Sequence, residues 1–113
     1  MSTKKVEIIT GAGRGIGAAT AQLFANKGYA VCINYKSNSA AANSLANSIT
    51  DGGGQCITVQ ADVSCEQDVK RLFSTVDNEL GTLSILVNNA GILKKQSRLE
   101  NMTAERINSI LVN

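Results

Sequence analysis

Histidine is absent from the 113 residues, and the three cysteines, Cys32, Cys56 and Cys65, stand far apart. That excludes a histidine-containing zinc set and a fully paired disulfide framework. Cys32 and Cys56 lie in apolar runs, where a thiol is expected to act as a small buried hydrophobe in a reducing cytoplasm. Aromatics number only four, Phe24, Tyr29, Tyr35 and Phe73, too few to stack bases along a nucleic acid. Long apolar runs are missing too. The amino terminus, MSTKKVEIIT, holds a strand-length apolar run, so neither a signal peptide nor a membrane span is expected there.

No tail of one charge sign exists. Residues 1–36 carry five basic and one acidic side chain, residues 37–93 two and six, and residues 94–113 four and two. This distribution speaks against nucleic acid or a membrane surface as partner. With 43% hydrophobic and 18% charged residues, the composition is that of one globular domain whose core buries about two-thirds of the unfolded surface.

What is present centres on VEIITGAGRGIG, residues 6–17. A short apolar run (Val6, Ile8, Ile9) stops at Thr10; Gly11, Gly13, Gly15 and Gly17 follow, and a helical pattern begins. A helix start presents unpaired N–H groups and partial positive charge, and glycine lets a phosphate approach the backbone closely. The spacing of Gly11, Gly15 and Gly17 differs by one residue from the common G-x-G-x-x-G dinucleotide fingerprint, and a glycine cluster alone also marks ordinary turns. Strand before and helix after are the context that favours phosphate.

Downstream, apolar runs alternate with helical stripes. The first helix carries Ile16, Ala19, Leu23 and Phe24 at helical spacing, with Ala18, Ala21 and Ala25 keeping it slim, and ends at Gly28. Residues 30–34 read as a strand covered on both faces. Residues 39–49 read as a second helix, broken by the glycines at 52–54, and residues 56–59 as a third strand. A third helix over 66–80 has the stripe Val69, Leu72, Phe73, Val76 and Leu80. The fourth strand, 84–87, runs into Asn88-Asn89-Ala90-Gly91. Thr103 suits the N-cap of a last helix bearing Ile107, Ile110 and Leu111. The alternation predicts an α/β fold: a Rossmann-like, doubly wound parallel sheet of four strands in order 3-2-1-4, helices on both faces, with the ligand crevice at the carboxyl ends of strands one and four.

Four features now coincide: TGAGRGIG at 10–17, Asp62-Val63 after strand three, NNAG at 88–91 after strand four, and a helix ending LVN at Asn113. Together they resemble the amino-terminal, cofactor-binding part of the short-chain dehydrogenase/reductase family. The resemblance implies a nicotinamide dinucleotide cofactor and hydride exchange with a carbonyl or alcohol. It implies that Gly11, Gly15 and Gly17 cradle the pyrophosphate with Ile16 in the same loop, that Asp62 accepts from the adenine amino group with Val63 lining that pocket, and that Asn88, Asn89, Ala90 and Gly91 steady the central strand and flank the ribose. Asn113 takes the position of a family asparagine that supports a proton relay.

A carboxylate at the end of strand two would bond the ribose 2′-OH of NAD. Here Asn34-Tyr35-Lys36-Ser37 stands in that place, and Lys36, Ser37 and Arg14 suit a 2′-phosphate. NADP(H) is therefore expected, with NAD(H) second and Tyr35 in the same cofactor-facing stretch. The family's Tyr-x-x-x-Lys is missing: Tyr29 is followed at the fourth place by Ile33, and Tyr35 by Ser39. Its Ser strand is missing as well. The expectation is a truncated, inactive cofactor-binding portion with a bare edge on strand four, self-associating as the family does through the helix that bears Asn113. A stand-alone NADP(H) sensor or interaction module is the alternative; a structural oligomer that has lost its cofactor is disfavoured by the intact motifs.

Overall fold

The computed structural model describes residues 4–11, 15–89 and 111–112. Along the chain run β1 (Val6–Thr10), α1 (Gly15–Asn26), β2 (Ala30–Tyr35), α2 (Ser39–Asp51), β3 (Gln55–Gln60), α3 (Glu66–Glu79), β4 (Ile85–Asn88) and β5 (Leu111–Val112). All strand pairs are parallel, and the sheet order is β3-β2-β1-β4-β5. The four expected strands stand in the expected order 3-2-1-4, with β1 central: Ile8 pairs with Cys32 on one side and Leu86 on the other.

The period-two alternation of the strands splits the core into two layers. One holds Val6, Ile8, Cys32 and Leu86 under Val69, Leu72, Phe73 and Val76 of α3. The other holds Ile9, Val31, Ile33 and Val87 under Ala21 and Ala25 of α1 and Ala42 and Ile49 of α2. Acidic residues Glu66 and Asp68 in the first turn of α3 complement its dipole. Asn38 caps α2, its side chain accepting from Ala41 N at 3.1 Å.

Three expectations need correction. On α1 the buried positions are Gly17, Ala21 and Ala25, whereas Ile16 and Leu23 are 80% and 52% exposed and Ala19 is exposed as well. The small residues bring the helix axis close to the sheet and leave Ile16 and Leu23 outside, while Phe24 of the expected stripe is half-buried against this layer. Leu111 lies in β5, paired with Leu86, rather than in a helix. That pairing also occupies the edge of β4 expected to be bare, because two extended residues supply partners for its backbone groups. Thr103, Ile107 and Ile110 lie outside the described residues.

Glu7 sits within β1, fully buried, and among the described residues neither carboxylate oxygen has a hydrogen-bond partner. Burial pushes its pKa up to about 8, so the group is mainly protonated at neutral pH. Cys32 is buried as expected, while Cys56 is only half-buried. Burial, with Glu7 nearby, raises the Cys56 thiol to about 12. Among the described residues no helix is long and apolar enough to cross a membrane.

Candidate cofactor site

Because all the strands are parallel, their carboxyl ends share one edge, and the segments singled out in the sequence meet there: Thr10-Gly11, the end of β2, the Asp62 loop and Asn88-Asn89. Thr10 is buried at the end of β1. Its hydroxyl lies 3.3 Å from Asn88 Oδ1 and accepts from the Asn89 N–H at 3.0 Å. Asn89 Nδ2 donates to Gly11 O at 3.0 Å, so the asparagine pair is tied to the start of the glycine turn. Among the described residues the buried Asn88 Nδ2 has no hydrogen-bond partner.

The chain turns into α1 with Gly11 at φ 64° and Gly15 at φ 65°, conformations that side chains with a Cβ rarely adopt. Among the described residues, its chain neighbours and its own helix backbone aside, none comes within 4 Å of where a Gly15 Cβ would stand. The space there is open to a ligand, and the first N–H groups of α1 are the donors a phosphate needs. These features fit a dinucleotide: an open approach at Gly15, and at Asn88 an amide donor without a partner among the described residues.

The ends of β2 and β3 form a second cluster. Lys36 Nζ stands 3.8 Å from Asp62 Oδ2, with the lysine side chain 75% exposed. Asp62 Oδ1 accepts from Ser64 N at 2.9 Å and Ser64 Oγ at 2.6 Å. Those two bonds, with Lys36 adding less, hold the Asp62 carboxyl below the usual carboxylate range, so it is an ionised acceptor. Asp62 N in turn donates to Asp68 Oδ2 at 2.9 Å, which anchors the loop to the first turn of α3. Gln60 Nε2 donates to Lys36 O at 3.0 Å, and Ala61 N to Tyr35 O at 2.9 Å.

Of the residues expected at the site, Gly11 and Asn89 are joined directly, and Lys36 and Asp62 form an ion pair. Ile16 projects into solvent and Ser37 is exposed; Tyr35 is half-buried against the α1–α2 layer and Val63 against the α3 layer. Gly17 is buried in α1. Arg14, Ala90, Gly91 and Asn113 lie outside the described residues. Sequence reasoning passed over Ser64, Asp68 and Asn34. The Asp-Val-Ser tripeptide at 62–64 carries the signal of an Asx turn, which could have found Ser64. Asp68 has the weaker signal of an acidic first-turn residue.

The family model for the short chain dehydrogenases matches residues 5–113. An uncharacterized oxidoreductase of Escherichia coli, YgfF, is 48% identical over 106 residues, covering 94% of this chain and 43% of that protein. The Bacillus subtilis short-chain dehydrogenase/reductase homolog YusS is 39% identical over 90 residues, covering 80% of this chain and 83% of that protein. Among solved structures, a short-chain dehydrogenase/reductase from Serratia marcescens superposes with a TM-score of 0.73 at 32% identity, over 77% of this chain and 36% of the other. YusS apart, the chain spans about two fifths of the length of the curated relatives it matches.

Proposed function

Because this chain belongs to the short-chain dehydrogenase family, we propose that its 113 residues form the NADP(H)-binding domain of an oxidoreductase moving hydride between a nicotinamide and a carbonyl or alcohol. The observation that carries this reading is the glycine turn at the carboxyl edge of the sheet, open at Gly15 and followed at once by the N-terminus of α1. Gly11, Gly15 and Gly17 hold the pyrophosphate, with Ile16 in the same turn. Asp62 takes the adenine amino group, with Val63 at its side. Asn89, with Ala90 and Gly91, flanks the ribose.

The choice of NADP(H) over NAD(H) is supported by the end of β2. Residues 34–37 offer no carboxylate to a ribose 2′-OH, and the exposed Lys36 ammonium, with Ser37 and Arg14, suits a dianionic 2′-phosphate. Lys36 must then exchange its 3.8 Å contact with Asp62 for the phosphate, or share it.

When bound, the nicotinamide supplies or accepts the hydride. The chain's own part is to hold it and fix its orientation. General acid help, worth about 10²–10⁴ in rate, comes in this family from a Tyr-x-x-x-Lys pair that these residues do not contain. Asn113 alone cannot replace it, so the 113-residue chain binds cofactor without turning over substrate. We place it in a reducing cytoplasm and expect self-association. A stand-alone binding module is the second reading, favoured by one observation: most of the length of YusS is matched by this chain.

Titrating NADPH and NADH into the purified chain tests the assignment. Tighter NADPH binding is expected; equal affinities would remove the 2′-phosphate reading, and no binding of either would remove the cofactor reading. Carbonyl reduction by the chain above a denatured control would overturn its inactivity.

A further inference from the structure

We propose that Asn34 is a positioning residue for the adenosine half of the cofactor, holding the glycine turn and the Asp62 loop at a fixed separation. The inference rests on the cofactor reading above and goes beyond it, since it assigns a role to a residue that touches no part of the dinucleotide. Asn34 is 2% exposed, near the end of β2. Burying a carboxamide is unfavourable unless its polar atoms are bonded. Asn34 Nδ2 makes two bonds, to Val59 O at 3.3 Å and Ala61 O at 3.0 Å. The first acceptor lies within β3; the second is the residue just past its end and immediately precedes Asp62. Its own main-chain oxygen accepts from Gly11 N at 3.1 Å, on the opposite side.

One residue thus grips both ends of the adenosine subsite. In the order β3-β2-β1, β2 lies between the glycine turn and the Asp62 loop, so a ligand with its pyrophosphate at Gly15 and its adenine at Asp62 must cross β2. Two interstrand spacings set that span at about 10 Å. Main-chain bonds hold Ala61 from one side, its N–H donating to Tyr35 O; the Asn34 side chain adds a second hold through the Ala61 carbonyl, at the residue from which the Asp62 loop departs. Leucine would fill the same volume without burying an amide, but would leave the Ala61 carbonyl unheld. Lys36, two residues on, sits within the same frame through Gln60 and Asp62.

The test uses the 113-residue chain and its Asn34→Leu variant with three ligands: NADPH, adenosine 2′,5′-bisphosphate and reduced nicotinamide mononucleotide. With two buried hydrogen bonds lost, the variant is expected to bind the adenosine ligand about tenfold more weakly. The mononucleotide affinity should stay unchanged. A folded variant that keeps its adenosine affinity, or loses both ligands equally, overturns the positioning role while leaving the cofactor reading intact. Failure of the unaltered chain to bind NADPH instead overturns that reading, and this inference with it. Should Asn34→Leu not fold, the side-chain amide of Asn34 in the unaltered chain is followed by NMR. Slow solvent exchange and a shift on adding the adenosine ligand but not the mononucleotide are expected; free exchange or no shift would refute the role.

Discussion

The two faces of the sheet are packed on different terms. Under α3 the core is made of large side chains, Leu72, Phe73, Val69 and Val76, against Ile8, Cys32 and Leu86. Under α1 the buried contact residues are Gly17, Ala21 and Ala25, with Phe24 half-buried at the edge of the layer, while Ile16 and Leu23 point outward. The α3 face gains its stability from buried volume; on the α1 side a close approach of helix to sheet does the work. Glu7 adds a further difference, because the first layer contains no buried carboxyl. Its strand neighbours Val6 and Ile8 point into the α3 layer, so Glu7 points, with Ile9, to the opposite face.

The largest effect should come from truncating the volume-packed face. Leu72 is 1% exposed, and Leu72→Ala leaves a cavity in a close-packed layer. A loss of about 2–5 kcal/mol is expected, read as a shift in the urea midpoint at unchanged m-value. A loss under about 1 kcal/mol would mean that the layer collapses around the gap, and that the α3 face is no more tightly packed than the other.

Next comes the buried carboxyl. Glu7 has a raised folded pKa of about 8 against 4.5 for the unperturbed group, so between those values the folded chain binds a proton that the unfolded chain releases. Stability from this group is complete below about pH 4.5 and is lost as pH rises through 8. Across pH 5 to 9 the loss should be on the order of 4 kcal/mol, measured by urea titrations at several pH values. The thiols near enough to share its field, Cys32 and Cys56, are themselves pushed upward and stay neutral over this range. Glu7→Leu should flatten the pH profile and raise stability at pH 8. An unchanged slope would place the titrating group elsewhere.

These contrasts also explain what could be read from the sequence. The α3 stripe was legible because large apolar letters recur at three and four residues and nothing competes with them. On α1 two patterns share that spacing, Ile16, Ala19 and Leu23 on one side and Gly17, Ala21 and Ala25 on another. Size pointed to the first, beside which only the neighbouring Phe24 packs on the core, while the small residues that keep the helix slim form its buried side. Glu7 was invisible because polar and apolar residues alternating along a strand look the same whether the polar face meets water or a helix. The glycine turn and the Asn88-Asn89 pair were legible through local spacing. Pairing Lys36 with Asp62 required parallel β2 and β3 to bring residues 26 apart together, and Asn34 read as the end of a strand because its acceptors are main-chain oxygens, which no residue letter reveals.

The smallest predicted effect tests the outward face of α1 directly. Leu23 is 52% exposed and belongs to neither core layer, so exchanging it for a polar helix former removes little buried area. Leu23→Gln should alter the unfolding free energy by less than about 0.5 kcal/mol, as surface substitutions generally do. The same exchange at Ala21, which is fully buried, would instead force a longer side chain into a closed helix–sheet contact, so the pair of variants separates the two sides of one helix. A loss of more than about 1 kcal/mol at Leu23 would show that this side is covered in solution. Repeating the melt over a range of protein concentrations then identifies the cover. A midpoint that rises with concentration in the unaltered chain, but not in Leu23→Gln, assigns it to a second copy packed on α1, because only association makes stability depend on concentration.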